Sequence, residues 1–313
     1  MSWWKKMRKI IPFICLGVII ISFLIGIIFF TKNIEINIIT YLRNYNVAST
    51  VEEDDYLNIS LFINDKNSYI LDKNQFEYAI ITSKDEIESM KLDLISVNSK
   101  EETIKYNDDK YYMFALNFKI LFDVKDEYSW NLSDAYLSIG YQGNKDYKIK
   151  IGKFCFNKYV KRESLINISY IKPLTFENNN SYLGGVIYGI NNNSNQAINI
   201  SKIEILNTNV YIGDGIKEVD NTNSIDFEEV AGYGHEQVKK RSGDLTINID
   251  SQKEIKLFVP IYYDELFIMN RFPIKIIYSY NGKTYEYIFG LYNYYNPIKE
   301  IVQSNNYMVY KVK

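Results

Sequence analysis

Histidine is nearly missing from this sequence: His235 is the only one among 313 residues, beside two cysteines and five prolines. Each shortage excludes some chemistry. One histidine and one cysteine outside the apolar N-terminal run are too few for the usual zinc ligand sets. Cys15 lies inside that run, so Cys155 has no partner for an internal disulfide and is expected to be packed on a strand. A Ser-His-Asp triad would have to use His235, and no G-x-S-x-G turn is present to hold its serine. There is no P-loop and no dinucleotide fingerprint. The best approach to a calcium loop, DNTNSID from Asp220, has Thr222 and Ser224 where ligands belong and no glycine at the sixth position. Asp and Glu are plentiful, but no pair is marked out as a glycosidase pair would be. No metal, no cofactor and no enzymatic activity are therefore expected.

Long apolar runs are also lacking, with one exception. Residues 10–30, IIPFICLGVIIISFLIGIIFF, contain no charge. At about 1.5 Å per residue a helix of this length spans roughly 31 Å, enough to cross a bilayer core. Lys5, Lys6, Arg8 and Lys9 precede the run and Lys32 alone follows it, which keeps the N-terminus cytoplasmic and exports the rest. Trp3 and Trp4 suit the inner interface. The run ends Phe29-Phe30-Thr31 rather than in the small residues of a cleavage site, so the segment is expected to persist as a signal anchor. The expected layout is a cytoplasmic basic tail (1–9), a transmembrane helix (10–31), a juxtamembrane tether (32–56) and an extracellular bulk. Residues 33–45 extend the anchor helix in this reading, and VASTVEEDD (47–55) is solvated. Removing the four N-terminal cations from a net charge of −2 leaves −6 outside. An acidic exterior does not suit nucleic acid.

What the chain has in excess is tyrosine, 29 of them, with 17 phenylalanines and abundant Ile, Asn and Lys. Such a skew follows AT-rich codons, as in a low-GC bacterial genome. Ile, Tyr and Phe favour strands by fitting a pleated, half-buried surface. From residue 57 the pattern alternates with period two. Leu57, Ile59, Leu61 and Ile63 form one strand face. In YYMFALNFKILFDV, Tyr112, Phe114, Leu116, Phe118, Ile120, Phe122 and Val124 share a face. Met113, Ala115, Asn117, Lys119 and Asp123 take the other, which predicts a long half-buried strand.

The chain also repeats itself. LNISLFI (57–63) parallels INISYI (166–171), SYILDKNQFEYAI (68–80) parallels SYLGGVIYGI (181–190), and KLDLISVN (91–98) parallels KIEILNTN (202–209). IGYQGNKDYKIKIG (139–152) parallels IYSYNGKTYEYIFG (277–290), each reading as a hairpin around an Asn/Gly turn. The predicted fold is mainly β: two tandem β-sandwich domains, 57–160 and 164–313. With its strand spacing and the I-x-Y-x-Y-N-G-K-x-Y hairpin (276–285), the exterior resembles immunoglobulin-like modules of membrane-anchored bacterial surface proteins. That resemblance implies adhesion, spacing or partner recognition more than catalysis.

The landmarks at 91 and 202 are 111 positions apart and Tyr141 and Tyr280 are 139 apart, so the second domain carries about 28 additional residues, assigned to an insertion at 210–252. His235 lies within it. Tyr233, His235, Lys239, Lys240 and Arg241 are the candidate binding residues, an aromatic contact followed by a basic anchor for an anionic group. Tyr292, Tyr294 and Tyr295 read as strand residues rather than a sugar-stacking platform. The expected role is non-catalytic binding of a partner protein or cell-envelope polymer at the cell surface. The alternatives are an accessory subunit of a membrane transport or secretion complex and a membrane-tethered envelope hydrolase.

Overall fold

The computed structural model describes residues 36–143, 145–175, 183–207, 210–213, 215–219, 242–263, 267–271, 273–289, 293–295 and 307–312. The apolar run 10–30 lies outside them. Among the described residues no helix is long and apolar enough to cross a membrane. They are almost entirely strand, with two 3-10 turns at Tyr69–Leu71 and Lys73–Gln75.

The first half is built from β1 (Ile36–Tyr41), β2 (Arg43–Thr50), β3 (Tyr56–Ile63), β4 (Phe76–Thr82), β5 (Ser89–Tyr106), β6 (Asp109–Leu121), β7 (Tyr128–Tyr141) and β8 (Lys145–Tyr159). The second half supplies β9 (Ile166–Thr175), β10 (Leu183–Asn192), β11 (Ile198–Ile205), β12 (Val210–Ile212), β13 (Lys217–Glu218), β14 (Ser242–Ile249) and β15 (Glu254–Tyr263). It continues through β16 (Phe267–Arg271), β17 (Ile274–Tyr280), β18 (Lys283–Phe289), β19 (Asn293–Tyr295) and β20 (Tyr307–Val312).

One sheet of eleven strands runs β19-β16-β2-β8-β7-β4-β5-β6-β3-β1-β20. It is folded over on itself. Strands β8 and β20 are seven steps apart along that order, about 34 Å in a flat sheet. Yet the Lys150 backbone N–H donates to Tyr310 Oη at 2.7 Å, and Thr40 Oγ1 donates to the Lys150 carbonyl at 3.2 Å. The folded sheet encloses one apolar core that draws on every strand from β1 to β8, including Ile38, Tyr45, Ile59, Leu61, Phe118, Leu137 and Phe156. This is a sandwich made from one sheet.

A second, separate core lies between the sheets β12-β15-β10-β9, with β13 also on β15, and β14-β11-β17-β18. Val186, Ile190, Leu257 and Val259 face Ile200, Ile203, Ile276 and Tyr278 across it. The β17–β18 turn has Asn281 at φ 49° and Gly282 at φ 72°, the paired positive values of a tight two-residue hairpin, as the Asn-Gly signal predicts.

Several sequence expectations are corrected. The tether and the helical extension give way over residues 36–50 to two buried strands. Ile36, Ile38, Tyr45 and Val47 enter the core, and only Val51 to Asp55 form a connection. Strand β6 is not half-buried along its length: Tyr111, Met113 and Ala115 on its other face are also covered, the first two in a cluster with Ile39, Tyr41 and Phe62. The strand stops at Leu121, so Phe122 leaves the pleat and packs edge-on against Phe156, ring centres 5.6 Å apart.

The hydrogen bonding does not divide at 160–164 either. Strand β16 pairs in parallel with β2, β19 pairs with β16, and β20 pairs with β1 from Ile36↔Val312 to Tyr41↔Tyr307. Both outer strands of the first half's sheet thus come from the second half. Of the four internal matches only the hairpins β7–β8 and β17–β18 are equivalent in pairing. By contrast β3 lies between β1 and β6, whereas β9 pairs among the described residues with β10 alone. Similar alternation suffices to match strands that occupy different places in a sheet.

Gly152, at the start of the parallel β2–β8 pairing, has φ 114°, and a Cβ there would run into the backbone N and O of Arg43. Gly152→Ala is expected to destabilise the chain by at least about 2 kcal/mol, read as a lower midpoint in urea unfolding. An unchanged midpoint would show that this close approach is not needed.

Candidate functional site

Strand β8 ends where the second half begins, and an open cleft of about 530 Å³ lies at that junction. Glu127, Tyr128, Ser129, Asn157, Lys158 and Tyr159 line one side, and Glu204 to Asn207 the other. Such a volume, shared between two packed units, falls in the range and the place where ligand sites are commonly found.

The first wall is set by a buried ion pair. Lys158 and Asp55 are in direct contact with side chains only 3% and 2% exposed. The Lys158 ammonium also donates to the carbonyls of Thr50 at 3.1 Å and Glu53 at 2.6 Å. All three of its N–H bonds thereby have acceptors, which a buried cation requires. The pair pins the acidic stretch 52–55, read from the sequence as solvated, against the end of β8. Tyr128 is held by an aromatic cluster with Phe122 and Phe156.

The second wall is tied to the first by two hydrogen bonds. Asn46 Nδ2 donates to Asn207 Oδ1 at 2.8 Å in a buried contact, and Tyr159 Oη donates to the Leu206 carbonyl at 3.0 Å. Leu206 N–H in turn donates to the Pro273 carbonyl at 2.9 Å, anchoring this segment to the start of β17. The cleft is therefore formed before any ligand arrives.

Glu204 supplies the fixed charge. Lys202 bonds its Oε1 at 2.7 Å and Lys275 its Oε2 at 2.6 Å. Burial pushes its carboxyl upward, but the hydrogen bonds and charges of Lys202 and Lys275 outweigh it and hold the group below its ordinary value. It is an ionised glutamate with both oxygens occupied. That is the wrong state for a general acid, and the engaged oxygens suit neither a base nor a nucleophile.

The binding residues expected from sequence are not among those that line the cleft in the described part of the chain. Tyr233, His235, Lys239, Lys240 and Arg241 lie outside the described residues, as do Trp3, Trp4, Lys5, Lys6, Arg8 and Lys9. Much of the described part of 210–252 is strand: β12 and β13 join the β15 sheet and β14 joins the β11 sheet. Tyr294 and Tyr295 lie on β19, paired with Asn270 and Met269, while Tyr292 lies outside the described residues. Cys155 sits half-buried on β8 and accepts from Asn157 Nδ2 at 3.1 Å. Among the described residues no group of three His, Cys, Asp or Glu side chains could hold a metal ion. The cleft residues escaped sequence reading because Asn46, Asp55, Lys158 and Asn207 look like ordinary surface residues. The only available signal was the break in alternation at 50–56, between two strands.

No protein-family model matches the chain, and no curated protein matches it. Among solved structures, the C-terminal domain of the Streptococcus agalactiae AgI/II polypeptide BspA is 10% identical, covering 81% of this chain and 99% of its own, with a TM-score of 0.21. A putative membrane anchored protein from Corynebacterium diphtheriae is 10% identical, covering 83% and 59%, with a TM-score of 0.25. The C-terminal domain of the Streptococcus pyogenes antigen I/II-family protein AspA is 10% identical, covering 83% and 100%, with a TM-score of 0.21. TM-scores this low transfer neither fold nor function.

Two outcomes follow from the cleft walls. Lys158→Ala should cost about 3–5 kcal/mol by leaving Asp55 buried without its cation, whereas Lys158→Met with Asp55→Leu should be near neutral. Urea midpoints check this, and equal losses in both variants would contradict it. Glu204, its carboxyl lowered in the folded state, stabilises above the unfolded glutamate range. That contribution is lost as pH falls through the folded value. The stability gap between wild type and Glu204→Gln should therefore be widest near neutrality and close in acid, measured by unfolding across pH 3–7.

Proposed function

We propose that this chain is a single-pass, membrane-anchored, extracytoplasmic binding protein, and that the junction cleft holds its ligand. The apolar run 10–30 and the cations before it support the anchor and its orientation. The observation that carries the binding reading is a preformed cleft whose two walls come from different sandwiches and are joined by buried hydrogen bonds. A site already shaped loses less free energy in ordering itself around a ligand.

The lining favours a hydroxyl-rich envelope polymer. Tyr128 and Tyr159 bring aromatic rings on which sugar rings pack, and Ser129, Glu127 and Asn157 bring hydrogen-bonding groups along an open groove. Binding rather than catalysis is also supported by Glu204, whose two oxygens are engaged by lysines.

Ser129 is exposed on the cleft wall, so Ser129→Trp fills the groove without disturbing the core. Full-length protein in detergent should retain purified wall polysaccharide, and Ser129→Trp should lose at least about tenfold in affinity, some 1.4 kcal/mol, with an unchanged melting temperature. Equal retention by both forms, or by neither, would refute the cleft assignment. Loss by the variant of a bound protein instead of a polysaccharide would reassign the ligand class.

A further inference from the structure

The anchor reading, on which this inference rests, has a geometric consequence, because the fold leaves almost no chain between the apolar run and the first strand. From Thr31, where the expected transmembrane segment 10–31 ends, to Ile36, where β1 begins, there are five residue steps, at most about 18 Å when fully extended. The interfacial layer of a bilayer takes up about 5–7 Å of that length.

The strand register shows what lies at the same level. Ile38 is opposite Ile63, Ile63 opposite Tyr112, and Tyr112 opposite Thr103. Two residues further out, Ile36 is level with the pair Lys105↔Lys110. The turn joining β5 to β6 projects beyond them. Asn107 and Asp108 have φ 48° and 67°, so the chain reverses there in a tight hairpin. Its tip stands roughly two residues, about 7 Å, past Ile36. Subtracting that projection and the interfacial layer from the full linker length leaves only about 4–6 Å above the headgroups. A relaxed linker leaves none.

We infer that the β5–β6 hairpin, with the adjoining β3–β4 connection, is a membrane-contact surface whose partner is the lipid headgroup layer. Its side chains suit that layer. Lys66 Nζ lies 4.3 Å and Lys110 Nζ 5.3 Å from the centre of the Tyr112 ring, giving an aromatic body with cationic tips. The charges balance: Lys66, Lys105 and Lys110 stand against Asp65, Asp108 and Asp109. Contact is therefore imposed by the short linker and not by attraction to anionic lipid. It differs in that respect from a polybasic patch, whose binding weakens with salt.

The opposite end of the molecule provides the control. Ile274 pairs with Ile205 beside the junction, and the Asn281-Gly282 turn lies seven residues further along β17, about 23 Å beyond it. In full-length protein with Cys15→Ser and Cys155→Ser, a fluorophore is attached at Asp108→Cys or at Asn281→Cys. Each protein is reconstituted into phosphatidylcholine vesicles carrying a headgroup-linked spin quencher. Retention after alkaline washing reads the anchor separately. The Asp108→Cys probe should be quenched several-fold more than the Asn281→Cys probe, equally in low and high salt and with or without phosphatidylglycerol. Retained protein with equal quenching at both positions overturns this inference and leaves the anchor standing. Quenching that appears only with phosphatidylglycerol at low salt also overturns it, in favour of electrostatic attraction. Protein released by the wash overturns both readings.

Discussion

Everything else in the structure depends on one covalent run, residues 36–50, bonding to opposite ends of the same sheet. Its first part, β1, pairs with β3, and its second part, β2, pairs with β8. Along the sheet these partners are five strands apart. A single extended segment can satisfy both only if the sheet folds over, and that folding creates the first core. The left-handed backbone at Gly152 and the close approach of Arg43 mark where the chain passes from one layer to the other. Because β1 and β2 bond on both sides, they also offer β20 and β16 a place to dock. Edge pairing of this kind covers backbone groups that would otherwise invite association with other chains.

The same closure explains which parts of the sequence were readable. Strands whose sequence alternates apolar with polar residues announce themselves, and Leu57 to Ile63 was legible for that reason, although Ser60 and Phe62 on its second face are covered as well. Tight turns were legible too, since Asn281-Gly282 needs residues that accept positive φ. Partnership was not legible. Nothing in RNYNVAST says that it pairs in parallel with a strand more than a hundred residues later. Four acidic residues at 52–55 look solvated until Lys158 is brought against Asp55. Internal similarity misled in an instructive way: KLDLISVN and KIEILNTN share an alternation, yet β5 lies between β4 and β6 whereas β11 lies between β14 and β17. Alternation reports burial on one face and carries no record of neighbours.

The candidate site was the least legible feature because it is made of polar groups buried by tertiary contact. Asn46 and Asn207, 161 residues apart, meet under cover. An amide pair inside an interface contributes little net stability, but separating it leaves donors and acceptors dry, so it fixes one relative position strongly. Lys158 acts likewise on the 51–55 connection. The junction therefore gains its definition from directional bonds rather than apolar area, and the two apolar cores stay separate on either side of it.

These constraints together set a distance. Strand β8 runs 15 residues from the hairpin end of the first sandwich to the cleft, about 50 Å at strand rise. With the hairpin end held at a bilayer by a five-step linker, the cleft would stand at a nearly fixed height above it. A flexible tether would have let a binding site search a volume. Here the buried residues 36–50 remove that freedom, and the bonds from Asn46 and Tyr159 remove rotation between the halves. What is gained is position: a ligand would be met at one depth in the envelope, in one orientation, with little conformational entropy left to lose on binding.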